Sequence, residues 1–138
     1  MSIEPYLNFD GRCEEAIEFY RKALGAEVMM LMRYKENPEP PQPGMVAPGT
    51  EEKIMHAGLR IQGSTIMASD GYCKGEPNFK GITLTLTVAD VAAADRTFAA
   101  LSDGGKVQMP LTKTFFSPRF GMLADRFGVP WMIIVQHD

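Results

Sequence analysis

The chain has 138 residues, 45% of them hydrophobic, and 14 Lys plus Arg against 17 Asp plus Glu give it a net charge of −3. That length suits one domain, or two small modules sharing a core, and the apolar share is ordinary for a soluble globular protein. The mildly acidic balance, with no basic stripe, argues against nucleic acid as a partner, and no apolar run approaches the roughly 20 residues of a membrane span.

The opening Met1-Ser2-Ile3-Glu4-Pro5-Tyr6 lacks the basic-then-apolar order of a secretion signal, so the expected location is the cytoplasm. Cys13 and Cys73 are too few and too far apart for a disulfide framework or zinc knuckle, and read as reduced thiols. Ten methionines are many for this length. Met fills irregular gaps in cores and also suits adaptable binding surfaces.

Pro5 to Phe9 alternates, Leu7 and Phe9 to one side, Tyr6 and Asn8 to the other, which predicts a half-buried strand. Asp10-Gly11-Arg12 turns the chain. Glu14 to Leu24 predicts a helix with Ala16, Ile17, Tyr20, Ala23 and Leu24 inward, stopped by Gly25. Ala26 to Tyr34 predicts a second, Met-rich strand. Residues 36–53 carry Pro38, Pro40, Pro41, Pro43 and Pro48 and exclude regular structure; a loop this long serves as a lid, a contact or a mobile excursion. His56 to Gln62 alternates again, with Ala57, Leu59 and Ile61 opposite His56, Gly58, Arg60 and Gln62. Gly63-Ser64 makes a tight turn and Thr65 to Asp70 returns as the hairpin partner.

Polar residues 72–80 form a linker between module one, about 1–71, and module two, about 81–138. Ile82 to Val88 alternates Thr with aliphatics. Asp90 suits a helix N-cap, and Val91, Ala94, Phe98 and Leu101 make a helical stripe ended by Gly104-Gly105. Lys106 to Thr112 predicts a strand that Pro110 confines to a sheet edge. Thr114 to Phe120 is an aromatic loop. A closing hairpin turns at Asp125-Arg126-Phe127-Gly128; Gly128 suits positive φ and Pro130 suits a strand start. Strand phase turns Trp131 toward the helix and Met132 away from it.

The order strand–helix–strand–strand–strand thus occurs twice, and the duplication makes each segment support the others. The faces opposite the helices carry Tyr6, Asn8, His56, Arg60, Thr65, Met67, Ser69, Thr83, Thr85, Thr87, Met132, Ile134 and Gln136. A solvent face would hold more Lys and Glu; hydroxyls, Met and aromatics resemble a cavity lining.

This pattern resembles the vicinal-oxygen-chelate superfamily of glyoxalase I, extradiol dioxygenases and bleomycin-resistance proteins. Within it the chain is most similar to the PhnB-like branch, often labelled demethylubiquinone methyltransferase-like. The resemblance covers essentially the whole chain. It rests on Pro5-Tyr6-Leu7-Asn8-Phe9, on Glu15-Ala16-Ile17-Glu18-Phe19-Tyr20 followed by Leu24-Gly25-Ala26, on His56-Ala57, on Ile66-Met67-Ala68-Ser69-Asp70, and on Asp125-Arg126-Phe127-Gly128-Val129-Pro130-Trp131-Met132. It implies an α+β, glyoxalase-like fold of two βαβββ modules with curved mixed sheets around a cleft, and a homodimer in which paired chains complete it.

The superfamily's metal enzymes carry ligands in slots that fall here on Glu4, Met67, Thr83 and Met132. Zn, Ni, Mn and Fe sites want His, carboxylate or thiolate in at least three positions, which two thioethers and a hydroxyl do not supply. No metal and no cofactor is therefore expected. No glycine-rich strand-to-helix turn offers a nucleotide-like cofactor a seat either.

His56 is the candidate catalytic residue, as a general base or a hydrogen-bonding partner; the alternative is a histidine ordering the end of the proline-rich loop. His137 lies one residue from the chain end. The expected ligand-binding residues are Tyr6, Asn8, Arg60, Met67, Ser69, Asp70, Thr83, Phe115, Phe116, Phe120 and Met132. Asp70 equally suits a turn, Tyr6 simple packing, and the three phenylalanines a subunit contact or a satellite core. Three functions follow: a metal-independent protein sequestering or acting on a small, partly apolar molecule; an acid–base enzyme using His56; and a divalent-metal lyase or dioxygenase whose ligands lie elsewhere.

Overall fold

The computed structural model describes residues 2–39, 49–71 and 77–136. Pro40, Pro41, Pro43 and Pro48 of the proline-rich stretch, residues 72–76 of the linker with Cys73, and His137 lie outside the described residues. The chain divides into two compact units, Met1–Pro77 and Asn78–Asp138.

In the first unit β1 (Tyr6–Asn8), α1 (Cys13–Leu24), β2 (Glu27–Arg33), β3 (Ile54–Ile61) and β4 (Ser64–Ser69) follow in order, with a 3-10 turn at Tyr34–Glu36 after β2. The sheet runs β1-β4-β3-β2. β1 lies parallel to β4 and the other pairs are antiparallel. The helix forms because Ala16, Ile17 and Tyr20 share one stripe, all buried, while Glu14 and Glu15 open it and Arg21 and Lys22 close it, as the helix dipole favours. Its stripe meets a core of Leu7, Phe9, Ala57, Leu59 and Ala68. Each large apolar side chain fully buried there contributes roughly 1.5–3 kcal/mol. Gly25 stops the helix at φ 67°, its N–H on the Arg21 carbonyl and the next N–H on Tyr20.

The helix starts one residue earlier than the pattern predicts, because its N-terminus is held from a distance. Arg12 offers no side-chain cap. Instead the Asp70 carboxylate accepts the N–H groups of Gly11 and Cys13, both at 2.8 Å, and that of Ile54 at 2.7 Å. The β3–β4 turn also moves by one residue. Ile61 pairs with Ser64, so the two loop residues are Gln62 and Gly63, at φ 49° and 85°, and Ser64 belongs to β4.

The second unit repeats the order with β5 (Leu84–Val88), α2 (Val91–Ser102), β6 (Lys106–Thr112), β7 (Phe120–Ala124) and β8 (Pro130–Val135), and its sheet runs β5-β8-β7-β6. Here the helix is capped locally: Asp90 accepts the Ala93 N–H at 2.8 Å. The closing hairpin is built around a second buried carboxylate. Asp125 accepts the N–H groups of Phe127 at 2.9 Å and Val129 at 3.1 Å and the Trp131 indole N–H at 2.9 Å. Trp131 is thereby fixed in the core, Gly128 takes φ 88°, and Pro130 opens β8. β6 is an edge strand whose pairing slips between Met109 and Thr112, around Pro110.

The two sheets repeat one strand order and pairing register. One row across the first runs Tyr6, Met67, Gly58, Met30; the matching row across the second runs Thr85, Met132, Met122, Met109. Both rows lie opposite the helix, since their strand neighbours Leu7, Ala57, Ala68, Leu86 and Ile133 are the buried ones. Pairing slips by one residue at the same place in both edge strands, between Val28 and Met30 and between Val107 and Met109.

Two stability outcomes are expected. Asp70→Ala strands three N–H groups, two of them in buried bonds, and should destabilise the fold by about 3 kcal/mol or more in urea unfolding. Gly105→Ala would put a Cβ 2.3 Å from the Ala124 carbonyl oxygen and 2.8 Å from the Asp125 carbonyl carbon, both main chain, and should cost roughly 1–3 kcal/mol by the same measurement.

Candidate functional site

Tyr6 and His56 sit on β1 and β3, and β4 runs between them. On the face opposite α1 the Tyr6 ring spans β4, bringing its hydroxyl within 3.0 Å of His56 Nδ1 and the ring centroids to 5.6 Å. Met67 occupies the β4 position beside Tyr6. Met32 pairs with His56, and Met30 pairs with Gly58 two residues along β3. The cluster is therefore a phenol–imidazole pair edged by three thioethers. Tyr6 is 44% and Met30 45% exposed; His56 and Met67 are half-buried. When the phenol donates to Nδ1, the neutral ring carries its proton on Nε2 and presents it as a donor.

The other expected site residues scatter. Arg60 is exposed, further along β3, paired with Thr65 and Glu27. Asn8 is exposed and pairs with Ser69. The Ser69 hydroxyl is buried, accepting the Gly71 N–H at 2.8 Å. Asp70 does not reach the Tyr6–His56 face: its buried carboxylate is the distant cap of α1.

In the second unit Thr83 is exposed and precedes β5, which begins only at Leu84, so it occupies no strand position. Met132 holds the place equivalent to Met67, its sulfur 3.7 Å from Thr85 Oγ1. Phe120 lies in β7 rather than in the loop, paired with Ile134, and its ring meets Phe116 at 5.0 Å. Phe116 in turn meets Phe115 at 5.1 Å, and Phe115 is 96% exposed.

Met30 and Met32 are site residues that the sequence pattern did not single out. The Met-rich composition of their strand was the available signal. The extra residue, Met29, hides which of them share the Tyr6 face.

Divalent metal chemistry, which the superfamily implies, does not suit these donors. Glu4 is the one hard, anionic ligand among Glu4, Met67, Thr83 and Met132, and its carboxylate accepts the Ser2 hydroxyl at 2.8 Å. Among the described residues no three of His, Cys, Asp and Glu gather as a metal-binding group. The strand-to-helix turns do not suit a nucleotide-like cofactor: Phe9 to Arg12 holds one glycine, Ala89-Asp90 none, and Asp70 already fills the start of α1. Cys13 supplies no nucleophile, because burial first and the Asp70 charge second push its thiol far above its ordinary range. No helix among the described residues is long and apolar enough to cross a membrane.

The family described as 3-demethylubiquinone-9 3-methyltransferase matches residues 1–134. Protein YjdN of Escherichia coli K12 is 40% identical over 142 residues, spanning 98% of this chain and 95% of its own. The crystal structure of PA1353 from Pseudomonas aeruginosa is 40% identical, covers 100% of this chain and 99% of its own, and superposes with a TM-score of 0.85. A PhnB protein from Bacillus cereus is 30% identical, covers 99% of this chain and 100% of its own, and gives 0.81. With two βαβββ units of mixed sheet and one helix each, the chain belongs to this family, the PhnB-like branch of the vicinal-oxygen-chelate superfamily.

Proposed function

We propose that this protein binds a small, partly apolar molecule on the Tyr6–His56 face of its first sheet, without a divalent metal, and sequesters it or acts on it. The observation that carries the reading is the 3.0 Å contact between the Tyr6 hydroxyl and His56 Nδ1. A tyrosine placed only for packing has no need of an imidazole two strands away. With the phenol donating to Nδ1, the neutral ring keeps its Nε2–H for a ligand. Met30, Met32 and Met67 supply a soft apolar border that adapts to a ligand body. A few oriented polar groups in an apolar lining is the usual composition of a small-molecule site.

The same contact favours a second reading, an acid–base enzyme with His56 as the base. A general base must be held in one orientation within reach of the proton it takes, and Tyr6 supplies that hold. A homodimer belongs to the same proposal. Sedimentation showing only the 15.3 kDa chain would remove it.

Fragment binding to wild type, Tyr6→Phe and His56→Ala, read by protein NMR, tests the site. At least one fragment should shift the resonances of Tyr6, His56 and Met67, and His56→Ala should weaken it at least tenfold, about 1.4 kcal/mol. Melting temperature should move little, because the pair is partly exposed. Undiminished binding in both variants would end the proposal. Turnover of a bound compound by wild type, lost in His56→Ala with binding retained, would select the enzymatic reading.

A further inference from the structure

Gly58 is the one member of the row Tyr6, Met67, Gly58, Met30 without a side chain. Neither of the usual reasons for a glycine inside a strand holds there. Its φ is not positive, and a Cβ built on it would meet no atom within 4 Å. The contrast lies in the second unit. Gly121 of β7 is required by packing, since a Cβ there would fall 2.8 Å from the Phe98 ring. The register position equivalent to Gly58 carries Met122, so the second sheet fills with a thioether the place the first leaves open. The two edge strands slip at the same point, so the rows correspond residue for residue.

Gly58 is nonetheless buried, so its bare main chain is the floor of a depression among the surrounding side chains rather than a protruding face. Its neighbours across the sheet, Met67 on one side and Met30 on the other, stand two strand spacings apart, about 9.6 Å. His56 lies on the same strand face, at the end of the depression where Tyr6 meets it. A glycine in a strand interior commonly marks where a ligand or another backbone comes close.

Building on the proposed ligand face of the first sheet, we infer that Gly58 is a specificity-determining residue: it opens a slot between Met30 and Met67 that takes a planar aromatic ring lying on the β3 backbone, with an acceptor on that ring directed to His56. The thioether borders favour a ring, because sulfur packs well against aromatic edges. The slot selects thickness. A flat ring lies on bare backbone, whereas a puckered one of equal size does not.

Matched neutral fragments test this on the full chain: phenol against cyclohexanol, and acetophenone against cyclohexyl methyl ketone, titrated by protein NMR into wild type, Gly58→Ala and Gly58→Met. Wild type should favour the planar member of each pair at least tenfold. Gly58→Ala should reduce the preference, and Gly58→Met, which copies the second unit, should abolish it. Both variants should keep the wild-type circular dichroism, and Gly58→Ala should melt no lower than wild type, because the added methyl meets open space.

Equal binding of planar and saturated members, or planar binding undiminished in Gly58→Met, overturns the inference. So does a lower melting temperature for Gly58→Ala, which would make the glycine structural. A change of sedimentation in Gly58→Met with fragment binding unchanged would instead assign this face to a second copy of the chain. Fragments that shift Tyr6 and His56 with no planar preference would remove the slot and leave the binding site standing. No binding by any fragment would remove both.

Discussion

The first unit depends on one buried carboxylate. Asp70 follows β4 directly and takes N–H groups from the turn before α1, from the first residue of α1, and from the start of β3. Three parts of the chain, up to 59 residues apart, are closed around one ion. Hydrogen bonds to a charged group contribute about 1.5–3 kcal/mol each, enough to fix the stagger of β1, β4 and β3. That stagger lets Tyr6 reach His56 across the strand between them. A residue that looked available for ligand chemistry thus acts from beneath, on the geometry of those that face outward.

The second unit reaches the same topology by other means. Its helix is capped from three residues away by Asp90, and its buried carboxylate, Asp125, is spent on the closing hairpin and Trp131. Its matching face is a band of Met109, Met122 and Met132 with Thr85, sealed where the first sheet is open. Duplication has kept the scaffold and separated the surfaces. The ring–ring pair and the depression lie in one copy, and the apolar infill lies in the other.

Most of the architecture was legible because it is local. Alternation marked the strands, and the stripe of Ala16, Ile17 and Tyr20 marked the helix. Gly25, Asp90, Gly128 and Pro130 act on their immediate neighbours, and each stands where its backbone chemistry requires. What escaped depends on distant partners. The start of α1 is set by a residue 57 positions away. Thr83 alternates correctly in sequence, yet the β8 partner ladder begins opposite Leu84, so the pattern overran the strand. The site itself was half legible. Tyr6, His56 and Met67 obey simple phase, whereas Met30 and Met32 follow a bulge that a period of two does not anticipate.

The paired bulges carry a consequence for the life of the chain in a crowded cell. β2 and β6 each end a sheet, and each exposes apolar side chains along an edge, Val28 to Leu31 in one and Val107 and Met109 in the other. Such edges are templates on which further strands add and fibrils grow. An extra residue breaks the even spacing of outward N–H and C=O groups, and in β6 Pro110 removes a donor as well. The irregularity that obscured the phase of the methionines therefore also defends the β2 edge of one sheet and the β6 edge of the other, letting each keep an oily edge without inviting endless strand addition.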